Sequence, residues 1–436
     1  MSEFLGVLRW ITINIFGEAS ILIGLIVLLG LVLQKKSLAD IVSGTLKGIL
    51  GFLIIGAGAG IIVSALLIFQ PIWTEVFGLS SMNLTNIIGQ ARFSERYGSS
   101  VTIAIAGGFA INLLLARLTR FKYIYLTGHM MFWTTMIFAG VMVNTEPAIS
   151  AVQLTLMLTV IMGLYWTLQP ALVQPWVRKI TGNDNVALGH TSASVALLGA
   201  IFGQIFARNK ISSEDIKVPK KLGFLRDSNV VTALTMALLF FIGTFILQIK
   251  GTPKAAEILA QSGDLSFYIY ALKQSLMFTG GIAVVLLGVR MFIGEMVPAF
   301  NGIGSRLVPG AKPALDCPIL FNFAPNAVVL GFVGAFVGSL LWLTLIGRYT
   351  GYVFIPSMIV IFFHAGTAGG FGNITGGYKG ALLAGFITST VVAWGQYFCV
   401  TGFIDNTIPD TALWAGDSDM FVLAPVIHLL TRLLAF

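Results

Sequence analysis

The chain has 436 residues, of which 56% come from the set AVILMFWYC and only 10% are charged, with a net charge of +8. Its mean hydropathy is +0.90. A soluble domain carries about 25% charged residues, so the composition excludes one. A span takes about 20 apolar residues, which leaves no room for a separate soluble catalytic domain. The 49 glycines and 33 phenylalanines suit a polytopic helical bundle, where glycine lets helices approach closely. Strands of a β-barrel would alternate apolar and polar residues, and this chain does not. The two cysteines, Cys317 and Cys399, form no disulfide framework, CxxC motif or zinc spacing. No metal or cofactor is expected. The basic balance reads as the Lys/Arg excess of inner loops rather than as affinity for nucleic acid.

Taken in chain order, the first apolar stretch runs from Ile21 to Gln34 and ends at Lys35-Lys36. No small-residue cleavage site follows, so it is expected to be a retained first span. Charge-free windows place spans near 19–34, 48–70, 101–116, 124–145, 150–170, 228–249, 270–294, 327–347, 350–364, 382–402 and 420–436. The expected architecture is therefore an all-α polytopic membrane protein of about eleven transmembrane helices. With the N-terminus outside, 18 of the 26 Lys and Arg residues fall on the inner side and 7 on the outer. The positive-inside rule then favours N-out and C-in.

Window 185–207 is uncharged but flanked on both sides by basic residues, Arg178-Lys179 and Arg208-Lys210. It is expected to enter the membrane and return. The stretches 313–326 (PALDCPILFNFAPN) and 365–378 (AGTAGGFGNITGGY) have the same broken character. Irregular backbone survives at membrane depth only where protein or a watery cavity satisfies it, and such segments form transporter substrate sites. The loop 208–227 carries six basic and three acidic residues. It is either a solvated connector or a docking surface, and Lys217, Lys220, Lys221 and Arg226 would carry the docking.

Polar groups at membrane depth are costly and mark function. His129 opens a span, in TGHMMFW. His190 lies in LGHTSAS, whose run of polar side chains could line a polar cavity. Asp316 sits in ALDCP, where proline forbids a regular helix; its carboxylate could bind hydroxyls or act as a general base. Arg290 and Glu295 could pair with each other or with other helices, and Glu295 could equally bind substrate. Asn301 and Asn326 flank the broken segment; Asn301 could bind sugar hydroxyls, whereas Asn326 is expected to satisfy freed backbone groups. His364 and Asn373 remain open, and His428 reads as structural, without polar neighbours. The GAGAG run at Gly56–Gly60 lies mid-span and lacks a following Lys-Ser/Thr, so it is no nucleotide loop. With no Walker pair, the chain is not expected to be a primary ATPase.

The stretch 288–332, with AFNGI, RLVPGA, DC and FAPNAVVLGF, resembles the membrane component (enzyme IIC) of the bacterial ascorbate phosphotransferase system. TGHMMF around His129, LGH at 189–190, KKSLADIVSGTLKGILGF and KVPKKLGFLRDSNVV resemble the same family. The resemblance implies a homodimer of eleven-span protomers in a bacterial inner membrane. Each protomer has a dimerising domain and a mobile substrate-carrying core that moves as an elevator. The bound sugar is handed to a separate phosphorylated IIB protein, itself charged by IIA. Carried over residue by residue, His129, His190 and Asp316 match positions that contact ascorbate. The family's polar contacts are replaced at Trp133, Thr191, Ala59 and Ile87, which would retune the pocket towards ascorbate or a related sugar, sugar acid or polyol. Neither cysteine suits a phosphocysteine, so no IIA or IIB module is expected within these residues.

Two other classes compete. An H⁺- or Na⁺-coupled secondary transporter could use His129, His190 and Asp316 as a relay. A substrate sensor without transport would explain the polar site but not the charged inner loop.

Overall fold

The computed structural model describes residue 10 and residues 19–78, 90–206, 211–216, 221, 228–350, 352, 358–404 and 417–434. Among them, the helices are α1 (Ala19–Leu33), α2 (Leu38–Val76), α3 (Gln90–Leu118), α4 (Gly128–Val143), α5 (Ala151–Thr181) and α6 (Ala193–Phe206). There follow α7 (Ser228–Lys250), α8 (Pro253–Ala260), α9 (Phe267–Arg306), the short α10 (Pro318–Phe321), α11 (Pro325–Thr350), α12 (Met358–Phe398) and α13 (Ser418–Leu434). Among the described residues, 7 helices are long and apolar enough to cross a membrane, and three apolar helices are shorter. The protein is thus a predominantly helical, multi-pass membrane protein.

Local sequence sets the ends of these helices. Ser37 accepts from the Asp40 amide at 3.2 Å and starts α2. Ser150 and Gln153 form a reciprocal capping box at the head of α5. Gly182, at φ 72°, closes that helix in the left-handed conformation, which glycine adopts without penalty.

The helices sort into two groups. In the first, α1, α7 and α8 pack around the long antiparallel pair α2 and α9. Glycines let this pair touch backbone to backbone. A Cβ at Gly58 would lie 2.7 Å from the Gly281 carbonyl oxygen, and one at Gly288 would lie 2.8 Å from that of Gly51. Gly58 therefore accounts for one member of the GAGAG run as a helix contact, whereas Gly56 and Gly60 face open space.

The second group contains α3, α4, α5, α6, α11, α12 and α13. Its centre is a feature the sequence reading lacked, a parallel sheet in the order β1-β3-β2. The strands are β1 (Tyr123–Tyr125), β2 (Ala187–Leu188) and β3 (Lys312–Leu315). Open sheet edges do not occur against lipid. Here Asn112 of α3 covers the β1 edge, and Gln169 and Gln174 of α5 donate to the carbonyls of Leu188 and Val186 on the β2 edge.

Two of the broken segments expected from sequence are built around this sheet. Window 185–207 is strand, turn and helix, and 313–326 is strand, turn and short helix. The third expectation is corrected. Residues 365–376 are helical, and the break is confined to Gly377, at φ 64° and ψ −159°. The helix reverses there: a Cβ at Gly380 would meet the Gly372 carbonyl oxygen at 2.2 Å, and Gly199 of α6 lies against both Ala368 and Ala384. The glycines that look like breakers in sequence instead let the two arms of this hairpin, α6 and α11 pack at backbone distance.

The hairpin turn also anchors the start of the charged loop. The Ile211 carbonyl accepts from the Tyr378 amide at 2.9 Å, and Asn373 bonds the Ser213 amide and the Ser212 hydroxyl. Asn326 donates to the Ser213 carbonyl, the backbone-satisfying role its sequence position suggested. Lys221 is exposed; Lys217, Lys220 and Arg226 lie outside the described residues. Arg290 reaches Asn322 at 3.4 Å. His428, expected to lack polar neighbours, instead contacts the Thr145 hydroxyl at 3.1 Å.

Candidate functional site

Parallel strands deliver their C-terminal ends to one side of a sheet, and here three of the sequence-derived residues follow those ends. β1 runs through Leu126 and Thr127 into α4, whose second residue is His129. β2 runs through Gly189 into His190, and β3 runs directly into Asp316. Gly189 has no substitute here: a Cβ would stand 2.7 Å from the Ala314 carbonyl oxygen. The end of the sheet faces the first helix group across a narrow gap. Thr127 and Asp316 lie on one side, with Phe52, Ile55 and Phe292 on the other.

The hydrogen bonds fix how His190 is presented. Its Nδ1 accepts from the Ser192 amide at 3.1 Å and lies 2.9 Å from the Ser192 hydroxyl. An acceptor nitrogen carries no proton, so the neutral ring holds its proton on Nε2. Nε2 faces Asp316 Oδ1 at 3.6 Å, longer than a direct hydrogen bond. Asp316 Oδ1 also accepts from the Cys317 amide at 2.7 Å. A donor and an acceptor separated in this way suit a hydroxyl, which would accept from His190 and donate to Asp316.

His190, Asp316 and Cys317 also bring potential metal-ligand atoms within 4.8 Å of one another. Metal ligation through Nε2 requires the proton on Nδ1, and the Ser192 amide occupies Nδ1. The arrangement therefore fits a polar ligand better than a metal ion.

A second His–Asp couple stands beside the first. His364 of α12 lies with its ring 4.9 Å from that of His190. Its Nε2 donates to Asp417 Oδ1 at 2.8 Å, and its Nδ1 lies 2.8 Å from the Ser418 hydroxyl. The other oxygen of Asp417 accepts from the Thr191 hydroxyl at 3.0 Å. Asp419 accepts from the Ser194 amide at 2.6 Å and from the Tyr165 hydroxyl at 2.8 Å. His190, Thr191, His364, Asp417 and Asp419 are all buried.

The remaining sequence candidates are more dispersed. Thr191 is fully buried, with its hydroxyl turned to Asp417 and Met130. Ala59 is half-buried on α2, one turn beyond Ile55 and on the same face. Trp133 is half-buried on α4, one turn after His129, and packs on Phe132 at 5.0 Å. Glu295 lies on α9 one turn from Phe292, close to Gly44 of α2. Asn301 belongs to the same helix, and Ile87 lies outside the described residues.

Sequence reasoning left His364 open and missed Thr127, Asp417 and Asp419. The aspartates carried a usable signal, a D-S-D triplet at the head of the last apolar run. Thr127 is 2% exposed and its hydroxyl has no partner among the described residues.

Residues 14–418 match the model of the EIIC-GAT family, described as the PTS system sugar-specific permease component. A curated relative from Mycoplasma pneumoniae (strain ATCC 29342 / M129 / Subtype 1), named ascorbate-specific PTS system EIIC component, is 26% identical. That alignment covers 87% of this chain and 65% of the relative, so the chain spans about two thirds of the relative's length. With the family match extending over nearly all of the sequence, the chain belongs to the sugar-specific permease components of the phosphotransferase system.

Proposed function

We propose that the protein binds an external sugar or sugar acid, L-ascorbate or a close relative, and carries it inward for phosphorylation by a separate phosphorylated IIB protein. The observation that carries this reading is the convergence of the ends of β1, β2 and β3, with Asp316 and His190 spaced for a hydroxyl. Thr127 supplies a further hydroxyl partner at the same gap. Phe52 and Phe292, with ring centroids 6.1 Å apart, offer an apolar wall for a ring face.

The two helix groups suit an elevator-type movement. The sheet and its polar residues belong to one group, and the gap at Asp316 lies where it meets the other. The family relationship and the basic loop 208–227 support a protomer of a homodimer in a bacterial inner membrane, N-terminus outside, with that loop receiving IIB. In the transfer step, a substrate hydroxyl attacks the phosphorus of the IIB phosphocysteine. The S–P bond breaks as the O–P bond forms, and the cysteine leaves as thiolate. Asp316 orients that hydroxyl and takes its proton. Phosphoryl transfer rests mainly on such alignment and charge neutralisation.

The test is a thermal-shift screen of the purified protein against ascorbate, hexoses, pentoses, sugar acids and polyols. A ligand binding only the folded state stabilises it by about 2.7 kcal/mol at a hundredfold excess over Kd. The screen is followed by phosphoenolpyruvate-dependent phosphorylation with IIA and IIB. Selective stabilisation by ascorbate and formation of its phosphate are expected. Stabilisation by another compound, with ascorbate silent, would transfer the assignment to that compound. Uptake that follows an imposed ion gradient without phosphorylation would overturn the reading.

A further inference from the structure

We propose that the second couple, His364–Asp417, is a positioning pair that holds the turn 190–192 in its substrate-binding geometry. This rests on the reading of His190 and Asp316 as the substrate site.

The geometry runs through six contacts. Asp417 Oδ2 accepts from the Thr191 hydroxyl at 3.0 Å. The Thr191 carbonyl accepts from the Asp419 amide at 2.9 Å and from the Ser418 hydroxyl at 3.2 Å. The Ser194 amide donates to Asp419 at 2.6 Å. His364 donates to Asp417 and bears edge-on against the His190 ring. Among the described residues the strand pairing of this segment ends at Gly189, and the head of α13 holds the turn beyond it.

Proton counting shows why the pair acts as a unit. The Ser418 hydroxyl has one proton, and both His364 Nδ1 and the Thr191 carbonyl lie within its reach. If His364 is neutral, with its proton on Nε2 for Asp417, Ser418 must donate to Nδ1 and the Thr191 carbonyl relies on the Asp419 amide. If His364 is doubly protonated, Nδ1–H donates to Ser418, and Ser418 donates to Thr191. In both states Asp417 keeps an acceptor on each side, one for the ring and one for Thr191. An asparagine there keeps an acceptor oxygen for only one of them and turns an N–H towards the other, which then loses its acceptor at this residue.

The role differs from general structural support because the turn's distortion reaches His190. The His190 ring is fixed by the Ser192 amide, one residue from Thr191. Loosening Thr191 frees that amide, the ring turns, and Nε2–H no longer faces Asp316.

The test uses the full chain in detergent, with L-ascorbate as probe and ¹⁵N-histidine labelling. Four histidines keep the ring spectrum simple. Asp417→Asn and His364→Gln are expected to weaken ascorbate binding roughly tenfold, the scale of one lost buried hydrogen bond to a charged group. They should also move the His190 ring signals away from the Nε2–H pattern. Ser418→Ala is the milder variant, should the others fail to fold, and should weaken binding by about threefold with a smaller ring shift. Thr145→Val, which cuts the contact to His428 on the same α13, should change neither. Unchanged His190 signals and unchanged affinity in all the variants that fold would overturn the proposal. If the wild-type protein binds no ascorbate, the assignment of ascorbate fails, while the His190 signals still decide the positioning role.

Discussion

Asn112 and Tyr125 are bonded as if Asn112 were the next strand of the sheet. Its Oδ1 accepts from the Tyr125 amide at 3.1 Å, while its Nδ2 donates to the Tyr123 carbonyl at 3.0 Å. The same Nδ2 donates to Thr167 at 2.9 Å, which ties α3 to α5 across the strand edge. A side-chain amide has the donor and acceptor of a peptide group, so one residue replaces one rung of a ladder. This makes a parallel sheet possible inside a helical membrane protein, and two of its strands lead into His190 and Asp316.

Asn112→Leu should therefore orphan a buried N–H and a buried C=O together. At 1–3 kcal/mol for each unsatisfied buried group, the loss should be about 2–6 kcal/mol. Asn112→Asp retains the acceptor for Tyr125 and should fall between the two. Chemical denaturation in detergent measures the order. Equal stability of all three would refute the strand-capping role.

A second prediction separates glycines that look alike in sequence. A Cβ at Gly385 would stand 1.9 Å from the Gly331 carbonyl oxygen, a contact with backbone that cannot turn away. Gly385→Ala should cost about 1–3 kcal/mol by overpacking. Gly56→Ala and Gly60→Ala meet nothing within 4 Å and should be neutral or slightly stabilising, since alanine favours helix by about 1 kcal/mol. Melting temperatures of the three variants test the contrast.

The difference between these glycines explains how much of the molecule could be read from sequence. Hydropathy located the helical bundle because each long apolar run must cross the membrane. His129, His190 and Asp316 stood out as candidates because a polar group flanked by broken backbone has few structural uses inside a membrane, and the structure sets all three after strand ends. The sheet was not legible: its strands are two to four residues long, and such runs have no periodicity of their own. Nor was the helical state of 365–376, since whether a glycine breaks a helix or lets another helix approach depends on a neighbour more than a hundred residues away in α6. Asp417 escaped for a related reason. Its partners, Thr191 and His364, are remote in sequence, and only the packing of α13 against the turn brings them together.

At the N-terminal end of the sheet, Asp184 receives hydrogen bonds from Lys312, Gln174 and Arg178. Partial burial opposes its ionisation, but those three donors outweigh it and hold its pKa below the ordinary 3.8. A depressed carboxylate contributes stability that is present above the unfolded value and lost as pH falls through the folded one. The wild-type protein should therefore lose melting temperature below about pH 4, and Asp184→Asn should flatten that acid arm. The carboxylate is 41% exposed, so 1 M salt should shrink the difference. Identical acid arms at low salt would refute it.

Glu214 reaches from the charged loop to the head of α11, accepting from the Ala327 amide at 3.0 Å and the Asn326 amide at 3.4 Å. A carboxylate there also meets the positive end of the helix. Glu214→Ala should cost about 0.5–2 kcal/mol, the range of a lost N-cap. It should also speed hydrogen exchange at Asn326 and Ala327, and exchange as slow as in the wild type would count against this cap.

Asp316→Asn isolates charge from shape at the proposed site. With its oxygen in the Oδ1 position, asparagine still accepts from the Cys317 amide and still faces His190 Nε2. What it loses is the ability to take a proton. If Asp316 serves only to bind, ascorbate affinity and phosphorylation should fall together. If it also orients and deprotonates the acceptor hydroxyl, affinity should stay within about threefold while phosphorylation by IIB falls by about 10²–10⁴, the usual share of a general base. The second outcome is expected, because the carboxylate stands at the end of β3 facing His190 Nε2, at a spacing that suits a hydroxyl able to pass its proton to Asp316. Equilibrium ascorbate binding and single-turnover phosphoryl transfer from IIB, measured on the same preparation, separate the two. Full phosphorylation by Asp316→Asn would sink the role of base, and His190 would then be the residue to test next.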